Sequence, residues 1–338
     1  MNDYFDKATP DRRAEIYLAD DDLIIAAEVA MELNQPLLLA GEPGTGKTTF
    51  ANYLAGKLGP KWFDSAKPFP LYSFETKSTS VATDLFYRFD SLRRFQAGQT
   101  AGMSQHNRDY LTFEALGLAI LHSNPYETIA DILPQGTQAA ANYPAVGRAV
   151  VLIDEIDKAP RDFPNDILNE IERMAFRIPE LQQPGSHQVR RVQADPALRP
   201  LVVLTSNSEK NLPPAFLRRC VFHHIAFPGR ERIGHLRNII AANLGQAVGC
   251  LAEDALDFFL VLREELNLDK APTTAELVAW IALLQKRAWK GERVDPVSTA
   301  LTALPMAELL ATLGVLAKSA EDLAKVQALL RQRFSSAG

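Results

Sequence analysis

The stretch "GEPGTGKTT", Gly41–Thr49, lies between a short apolar run, "PLLLA", and a segment with helical spacing, "FANYLAGKL". It satisfies the pattern G-x-x-x-x-G-K-[ST] at Gly41, Gly46, Lys47 and Thr48. A glycine-rich loop between a buried strand and a helix turns successive backbone N–H groups towards a phosphate. Since glycine makes up roughly 7% of residues, a chance match in a chain of this length is on the order of one in a hundred. We therefore interpret the stretch as a phosphate-binding loop, and not as an ordinary turn.

Each residue type in the loop has an expected task. Lys47 is expected to bring a positive charge to the β- and γ-phosphates, and Thr48 to offer its hydroxyl to Mg²⁺. The predicted nucleotide-binding residues are Gly41, Glu42, Pro43, Gly44, Thr45, Gly46, Lys47, Thr48 and Thr49.

A second element, "VVLIDEIDKA", is an apolar strand that ends in acidic residues. Carboxyl ends of strands form the crevice in which open α/β sheets bind ligands. We expect Asp154 to hold Mg²⁺ together with Thr48, and Glu155 to orient and deprotonate the attacking water. The alternative is that these acids merely cap the next helix. Asp157 is interpreted as a surface or interface charge.

Two later stretches complete the set of candidate site residues. "LVVLTSNSEKN" is another buried strand with polar residues at its end, and Asn207 there could hydrogen-bond the water and the γ-phosphate. An asparagine in that place is also a common turn former. "PPAFLRRC" ends in Arg218 and Arg219, either of which could reach the phosphates of a neighbouring subunit and stabilise the developing charge. Alternatively, these arginines interact with the end of their own helix.

The composition excludes several classes of protein. The chain has 338 residues, of which 47% are hydrophobic and 23% charged, as in average globular proteins. A net charge of -5 makes a general nucleic-acid surface unexpected. The two cysteines, Cys220 and Cys250, lack metal-binding spacing and are expected to be small buried residues; no histidine is assigned a metal. No apolar run approaches the ~20 residues of a membrane span, and "MNDYFDKATPDRR" does not resemble a secretory signal, so a cytoplasmic location is expected.

Apolar strands alternate with helical segments up to about residue 228, after which helices dominate. This order predicts an α/β fold: a parallel sheet covered by helices in residues 1–228, followed by an all-helical domain in residues 229–338. Residues 75–108 are predicted to be an insert around one helix, "DLFYRFDSLRRF", and residues 176–192 a β-hairpin with a Pro-Gly turn. "KTTFANYLAGKL" is predicted to be a helix that ends at Gly59-Pro60, and "LTFEALGLAILHS" a single amphipathic helix.

The order of "GEPGTGKT", "VVLIDEIDKA", "LVVLTSN" and "AFLRRC" resembles that of the AAA+ ATPases, in which the first of these motifs is called Walker A. The chain as a whole is similar to the MoxR group of that family. "DLFYRFDSLRRF" lies where that group carries its helix-2 insert, and "FRIPEL" with "HQVRRV" lies at its pre-sensor-1 hairpin. The resemblance covers residues 15–290.

This resemblance implies an αβα nucleotide domain with a helical lid, in homo-hexameric rings that bind ATP with Mg²⁺ at each subunit contact. It implies chaperone-like remodelling of a partner, often one with a von Willebrand factor A domain. The adenine is expected near Tyr17 and Leu18. In many relatives the sensor-2 residue is an arginine early in a lid helix. Here "KAPTTAELVAWI" offers Thr273 and Thr274 instead, so either Lys270 substitutes or the contact is absent.

Two other functions fit the same motifs. In a nucleotide-gated scaffold, ATP binding would assemble the ring and hydrolysis would be a slow timer. A nucleic-acid motor is less favoured: Arg190 and Arg191 add positive charge on the hairpin, but the net charge is acidic and basic residues are not interleaved with aromatic ones.

Overall fold

The computed structural model describes residues 12–99, 106–133, 143–182, 188–208, 212–245, 247–289 and 291–334. The chain divides into two compact units. The first contains Met1–Glu42 and Gly46–Ile225, and the second contains Pro43–Thr45 and Ala226–Gly338.

A five-stranded parallel sheet organises the first unit, with the strand order β2-β5-β8-β1-β9. Ala40 in β1 is in register with Ser206 in β8, and Ile153 in β5 is in register with Leu204 in β8. The carboxyl ends of β1, β5 and β8 therefore lie side by side. The strands of the chain are β1 (Leu37–Ala40), β2 (Leu71–Glu75), β3 (Tyr87–Phe89), β4 (Leu111–Phe113), β5 (Val150–Asp154), β6 (Ala175–Ile178), β7 (Arg190–Gln193), β8 (Leu201–Ser206), β9 (Val221–His224), β10 (Ala288–Trp289) and β11 (Glu292–Arg293).

Helices cover both faces of this sheet. In β5, side chains alternate between two buried clusters: Val151 and Ile153 pack with α5, and Val150 and Leu152 pack with α1 and α2. The helices of the first unit are α1 (Asp21–Glu32), α2 (Lys47–Tyr53), α3 (Gly59–Trp62), α4 (Ser91–Gln99), α5 (Ala115–His122), α6 (Tyr126–Ile129), α7 (Phe163–Asp166), α8 (Leu168–Arg173) and α9 (Pro214–Leu217). The predicted fold class, a covered parallel sheet followed by a helical region, is confirmed.

The second unit has its own core. Its helices are α10 (Ile233–Leu244), α11 (Cys250–Glu265), α12 (Thr274–Lys286), α13 (Met306–Thr312) and α14 (Ala320–Phe334). Phe258, Phe259 and Trp280 are buried in this core. A two-residue ladder of β10 and β11 accompanies the helices. Cys250 is exposed at the start of α11, so the expectation that both cysteines are buried was wrong for this one.

The predicted helix "DLFYRFDSLRRF" is interrupted. Tyr87–Phe89 forms a strand that pairs with Leu111–Phe113, and the helix begins only at Ser91. The side chain of Asp90 accepts a hydrogen bond from the Arg93 N–H, which is the contact of a helix N-cap. The pairing also makes Leu111–Phe113 a strand, although we expected it to open a helix, and α5 starts at Ala115.

The helix after the glycine-rich loop does not end at Gly59-Pro60. It continues to Trp62 through one widened turn over Leu54–Leu58. A Cβ on Gly59 would lie 2.8 Å from the Leu54 carbonyl oxygen and 2.9 Å from the Phe69 ring. Close packing against Phe69 therefore requires this glycine, which does not end the helix.

Candidate nucleotide site

The glycine-rich loop joins β1 to α2 and adopts backbone angles that favour glycine. Gly44 has φ +79° and Gly46 has φ +92°. At Gly46 a Cβ would also lie 2.9 Å from the Tyr17 ring, so both conformation and space require glycine there. The sequence pattern is thus matched by the tight turn that a phosphate-binding loop needs.

Lys47 is buried, although it is the first residue of α2. Its ammonium donates to the carbonyl oxygens of Gly41, at 2.8 Å, and Glu42, at 2.9 Å. Burial lowers the pKa of Lys47, while nearby acids, Asp154 above all, act in the opposite direction. The loop therefore holds a cation beside the acidic end of β5.

Thr48 and Asp154 come together from elements more than a hundred residues apart. The Thr48 hydroxyl donates to the two carboxylate oxygens of Asp154 over 3.1 and 3.2 Å. The Thr205 hydroxyl donates to the same carboxylate from β8. Mg²⁺ binds oxygen ligands, and a hydroxyl and a carboxylate can supply two of them while phosphates and waters complete the coordination shell. The residues thus fit Mg²⁺ bound together with a phosphate; within the described ranges, no group of three or more His, Cys, Asp or Glu side chains could hold a metal ion.

Glu155 follows Asp154 in a left-handed conformation, with φ 54°. A glutamate seldom adopts this conformation, and its cost points to a functional constraint. The Thr205 hydroxyl accepts a hydrogen bond from the Glu155 backbone N–H over 2.8 Å. The Glu155 carboxylate accepts one bond from the Lys158 ammonium and one from the Asn207 amide, the latter over 3.2 Å.

Asn207 follows β8 at the same edge of the sheet. Its backbone N–H donates to Asp157 over 3.2 Å, so Asp157 supports the asparagine in addition to being partly exposed. Thr205, Asp157 and Lys158 were not predicted as site residues. Of these three, only Thr205 could have been identified from the sequence. It precedes Asn207 by two residues, so its side chain lies on the same side of the strand.

Arg218 and Arg219 follow α9 and make no hydrogen bond or ion pair with the loop, Asp154, Glu155 or Asn207 in the described chain. Arg219 lies 3.3 Å from Glu172 in an ion pair. Arg218 is exposed, and its side chain has no such partner within the residues that the structure describes. The strand-end residues therefore contact one another, whereas neither arginine forms a hydrogen bond or ion pair with them in the described chain.

Tyr17, one of the two residues expected near the adenine, packs against the helix that follows the loop. Its ring centroid is 5.9 Å from that of Phe50 and 5.7 Å from that of Tyr53. Burial raises the pKa of its phenol. Leu18 is exposed. Tyr17 thus supports the loop at Gly46, whereas Leu18 is accessible.

Residues 37–228, more than half of the chain, match the model of the ATPase family associated with various cellular activities (AAA). No curated protein sequence matches the chain significantly. The solved structures that it resembles include NtrX from Brucella abortus in complex with ATP, with 15% identity, a TM-score of 0.45, and 97% of this chain and 70% of that chain covered. They also include a structure from a study of katanin self-assembly, which is 14% identical to this chain with a TM-score of 0.39, and the match covers 93% of this chain and 88% of that chain. No helix among the described residues is long and apolar enough to cross a membrane.

Proposed function

The chain belongs to the AAA+ ATPases, and from this premise we propose that it uses ATP to remodel a partner protein within an oligomeric ring. ATP binding and hydrolysis follow from the family. The remodelling role, the hexameric ring, the MoxR group, the cytoplasmic location and a partner with a von Willebrand factor A domain are parts of the proposal.

The hydrolytic step is assigned to residues that meet at the ends of β1, β5 and β8. The loop amides and Lys47 would bind the phosphates, and Thr48 and Asp154 would hold Mg²⁺, which neutralises charge on the phosphates when bound. Glu155 would orient the attacking water and accept its proton. Asn207 contacts Glu155 and would position the same water beside the γ-phosphate.

One observation supports this assignment most directly: the Asn207 amide lies 3.2 Å from the carboxylate of Glu155, next to the pair of Thr48 and Asp154. It supports the assignment because the residues proposed as base and sensor contact each other, as do the two proposed Mg²⁺ ligands. The test is the steady-state ATPase rate of the wild-type chain and of Asp154→Asn, with and without added Mg²⁺. An Asp154→Asn chain with wild-type hydrolysis at limiting Mg²⁺ would overturn the assignment.

The arginine donated to a neighbouring subunit is proposed to be Arg218. Arg219 has a carboxylate partner, Glu172, in its own chain, whereas the exposed Arg218 has none among the described residues. Sedimentation with and without a slowly hydrolysed ATP analogue tests the oligomer on which this depends. A chain that stays monomeric with saturating Mg²⁺ and nucleotide would rule out both the ring and the donated arginine.

A scaffold with slow hydrolysis is the second candidate, because the Glu155 carboxylate is already paired with the Lys158 ammonium. The Lys158 ammonium thus occupies the carboxylate that would accept the proton of the attacking water. The two functions differ in their dependence on Glu155. If Glu155→Gln keeps biological activity while Lys47→Ala abolishes it, the scaffold is correct.

The helical segment 229–338 is proposed to be the lid. At the start of α12 the Thr273 hydroxyl accepts a hydrogen bond from the Glu276 backbone N–H, and the Thr273 backbone N–H donates to the Glu276 carboxylate. This capping box satisfies the first turn of the helix. The Lys270 backbone N–H donates to the buried Asp322, which holds the preceding loop. Lys270 is the candidate for the sensor-2 role: loss of ATPase activity in Lys270→Ala would support it, and wild-type activity would mean that this contact is absent.

A further inference from the structure

A groove of about 450 Å³ lies on the first unit, and none of the residues of the nucleotide site line it. Its lining includes Ala82 and Thr83, in the predicted insert, and residues of the paired strands β6 and β7. Three arginines line it: Arg173, Arg177 and Arg191. A single carboxylate, Glu170, accompanies them, so the groove carries an excess of positive charge.

Two of these arginines face each other directly. Arg177 in β6 is the register partner of Arg191 in β7. Their neighbours Phe176 and Val192 are buried on the opposite face of the ladder. Since side chains alternate along a strand, both guanidinium groups belong to the exposed face.

Like charges directly opposite each other in a ladder are destabilising. Within the part of the chain that the structure describes, the side chains of Arg173, Arg177 and Arg191 make no ion pair or hydrogen bond. The adjacent Arg190 is a contrast, because Asp131 binds its guanidinium through both carboxylate oxygens, at 2.8 and 2.9 Å. Arg190 thus has a carboxylate partner, whereas none of the three arginines in the groove forms an ion pair with a described residue, Glu170 included.

The geometry points to an anionic ligand, and we propose that this groove binds an acidic segment of a polypeptide, the protein that the proposed ring remodels. Guanidinium groups bind carboxylates through two parallel hydrogen bonds. Carboxylates at alternate positions of an extended chain could meet Arg177 and Arg191 together.

Single-stranded nucleic acid fits this groove less well. Phe86 stacks on Phe176, with ring centroids 5.2 Å apart, and Tyr87 packs on the same ring. All three side chains are buried. They therefore offer no exposed ring on which a base could stack, which such proteins use for much of their affinity.

Fluorescence anisotropy tests the proposal with a labelled peptide of alternating glutamate and serine, about ten residues long. The wild-type chain is expected to bind it, and Arg177→Ala/Arg191→Ala to bind it at least about tenfold more weakly, since two charge-assisted contacts are lost. A matched control, Arg293→Ala/Arg331→Ala, removes two exposed arginines of the second unit and should bind as the wild type does. Arg177→Lys/Arg191→Lys keeps the charge but loses the paired donors, and should bind with intermediate affinity.

Equal binding by the wild type and Arg177→Ala/Arg191→Ala would overturn the proposal. The proposal would also be overturned if the wild-type chain did not bind the peptide but bound an oligothymidylate tightly through the same arginines. Circular dichroism and the ATPase rate of each variant check that the fold is intact. The anisotropy needs no hydrolysis, so Lys47→Ala should bind the peptide normally. Peptide binding without remodelling of a partner would support the groove proposal and contradict the remodelling function. Rings and ATPase activity without peptide binding would contradict the groove proposal alone.

Discussion

Asn207 donates a hydrogen bond from its side-chain amide to Glu155 over 3.2 Å, and its backbone N–H donates to Asp157 at the same distance. One asparagine at the end of β8 therefore fixes two acids of the segment that follows β5. The left-handed backbone of Glu155 makes this possible, because it turns the chain sharply after Asp154.

Glu155→Gln should lower the ATPase rate by roughly 10²-fold or more, because a positioned general base contributes about 10²–10⁴-fold. The amide keeps the size and the hydrogen bond of the side chain, so the affinity for ATP should stay within about threefold of the wild type. Stopped-flow hydrolysis and nucleotide-binding titrations measure the two effects. Asp162→Asn, at an exposed acid shortly after, is the control and should hydrolyse ATP normally. Wild-type turnover in Glu155→Gln would assign the base to another residue.

Lys47→Ala should weaken ATP binding by at least about tenfold, since a charge-assisted hydrogen bond contributes about 1.5–3 kcal/mol. The effect should be greater for ATP than for ADP, because the lysine is expected to reach the γ-phosphate. Isothermal titration with both nucleotides gives the comparison. Lys57→Ala removes a lysine that donates to the Glu15 carbonyl oxygen near the end of the same helical segment, and should leave binding unchanged. Equal losses for ATP and ADP would contradict the γ-phosphate contact.

Arg218→Ala should reduce hydrolysis by about 10³-fold if this arginine completes a neighbouring site. Arg219→Ala should have a smaller effect, because Arg219 pairs with Glu172 in its own chain. Mixing decides whether the arginine acts between subunits. Glu155→Gln and Arg218→Ala chains, each inactive alone, should regain activity together, since an intact Glu155 site then receives an intact arginine. Mixed oligomers that stay inactive would show that Arg218 acts within its own subunit or not at all.

Stability should fall as the pH drops from about 6.5 towards 4, in part because of His122. Burial lowers the pKa of His122 to about 4. Between pH 4 and 6.5 this histidine is protonated in the unfolded chain but neutral in the folded chain. The free energy of unfolding therefore rises with pH by up to about 1.4 kcal/mol per pH unit. The contribution is complete above pH 6.5, and about 2 kcal/mol of it is lost by pH 5. Urea unfolding at pH 7 and pH 5 should show a smaller difference for His122→Phe than for the wild type. The exposed His224 gives the control, and His224→Gln should keep the wild-type difference.

Local signals in the sequence were sufficient for the sheet and the loop. An uninterrupted apolar run such as "VVLI" in β5 is typical of a strand that is covered on both faces. Gly44 and Gly46 adopt positive φ angles that few other residues adopt. Thr48 and Asp154 could be predicted as partners because Asp154 ends one strand of that sheet and Thr48 follows the loop after another.

The departures arise from contacts between distant residues. Gly59 resembles a helix end in sequence, but its role depends on Phe69, ten residues later. The strand at Tyr87–Phe89 exists because Leu111–Phe113 pairs with it. Lys158 could not be assigned to Glu155 from the sequence, because i,i+3 spacing brings side chains together only where the backbone turns between them, as it does here.

Arg177→Glu should stabilise the first unit. The substitution replaces a pair of like charges with a cross-strand ion pair to Arg191, and such pairs differ by roughly 0.5–1 kcal/mol. Both positions are exposed, so 1 M salt should screen most of the gain. Thermal unfolding at low and high salt measures both effects, and Arg293→Glu in the second unit controls for the change in net charge. The same variant should lose the acidic peptide, which would show that the arginine pair is retained at a cost in stability. Unchanged or lower stability at low salt would mean that Arg177 and Arg191 do not repel each other.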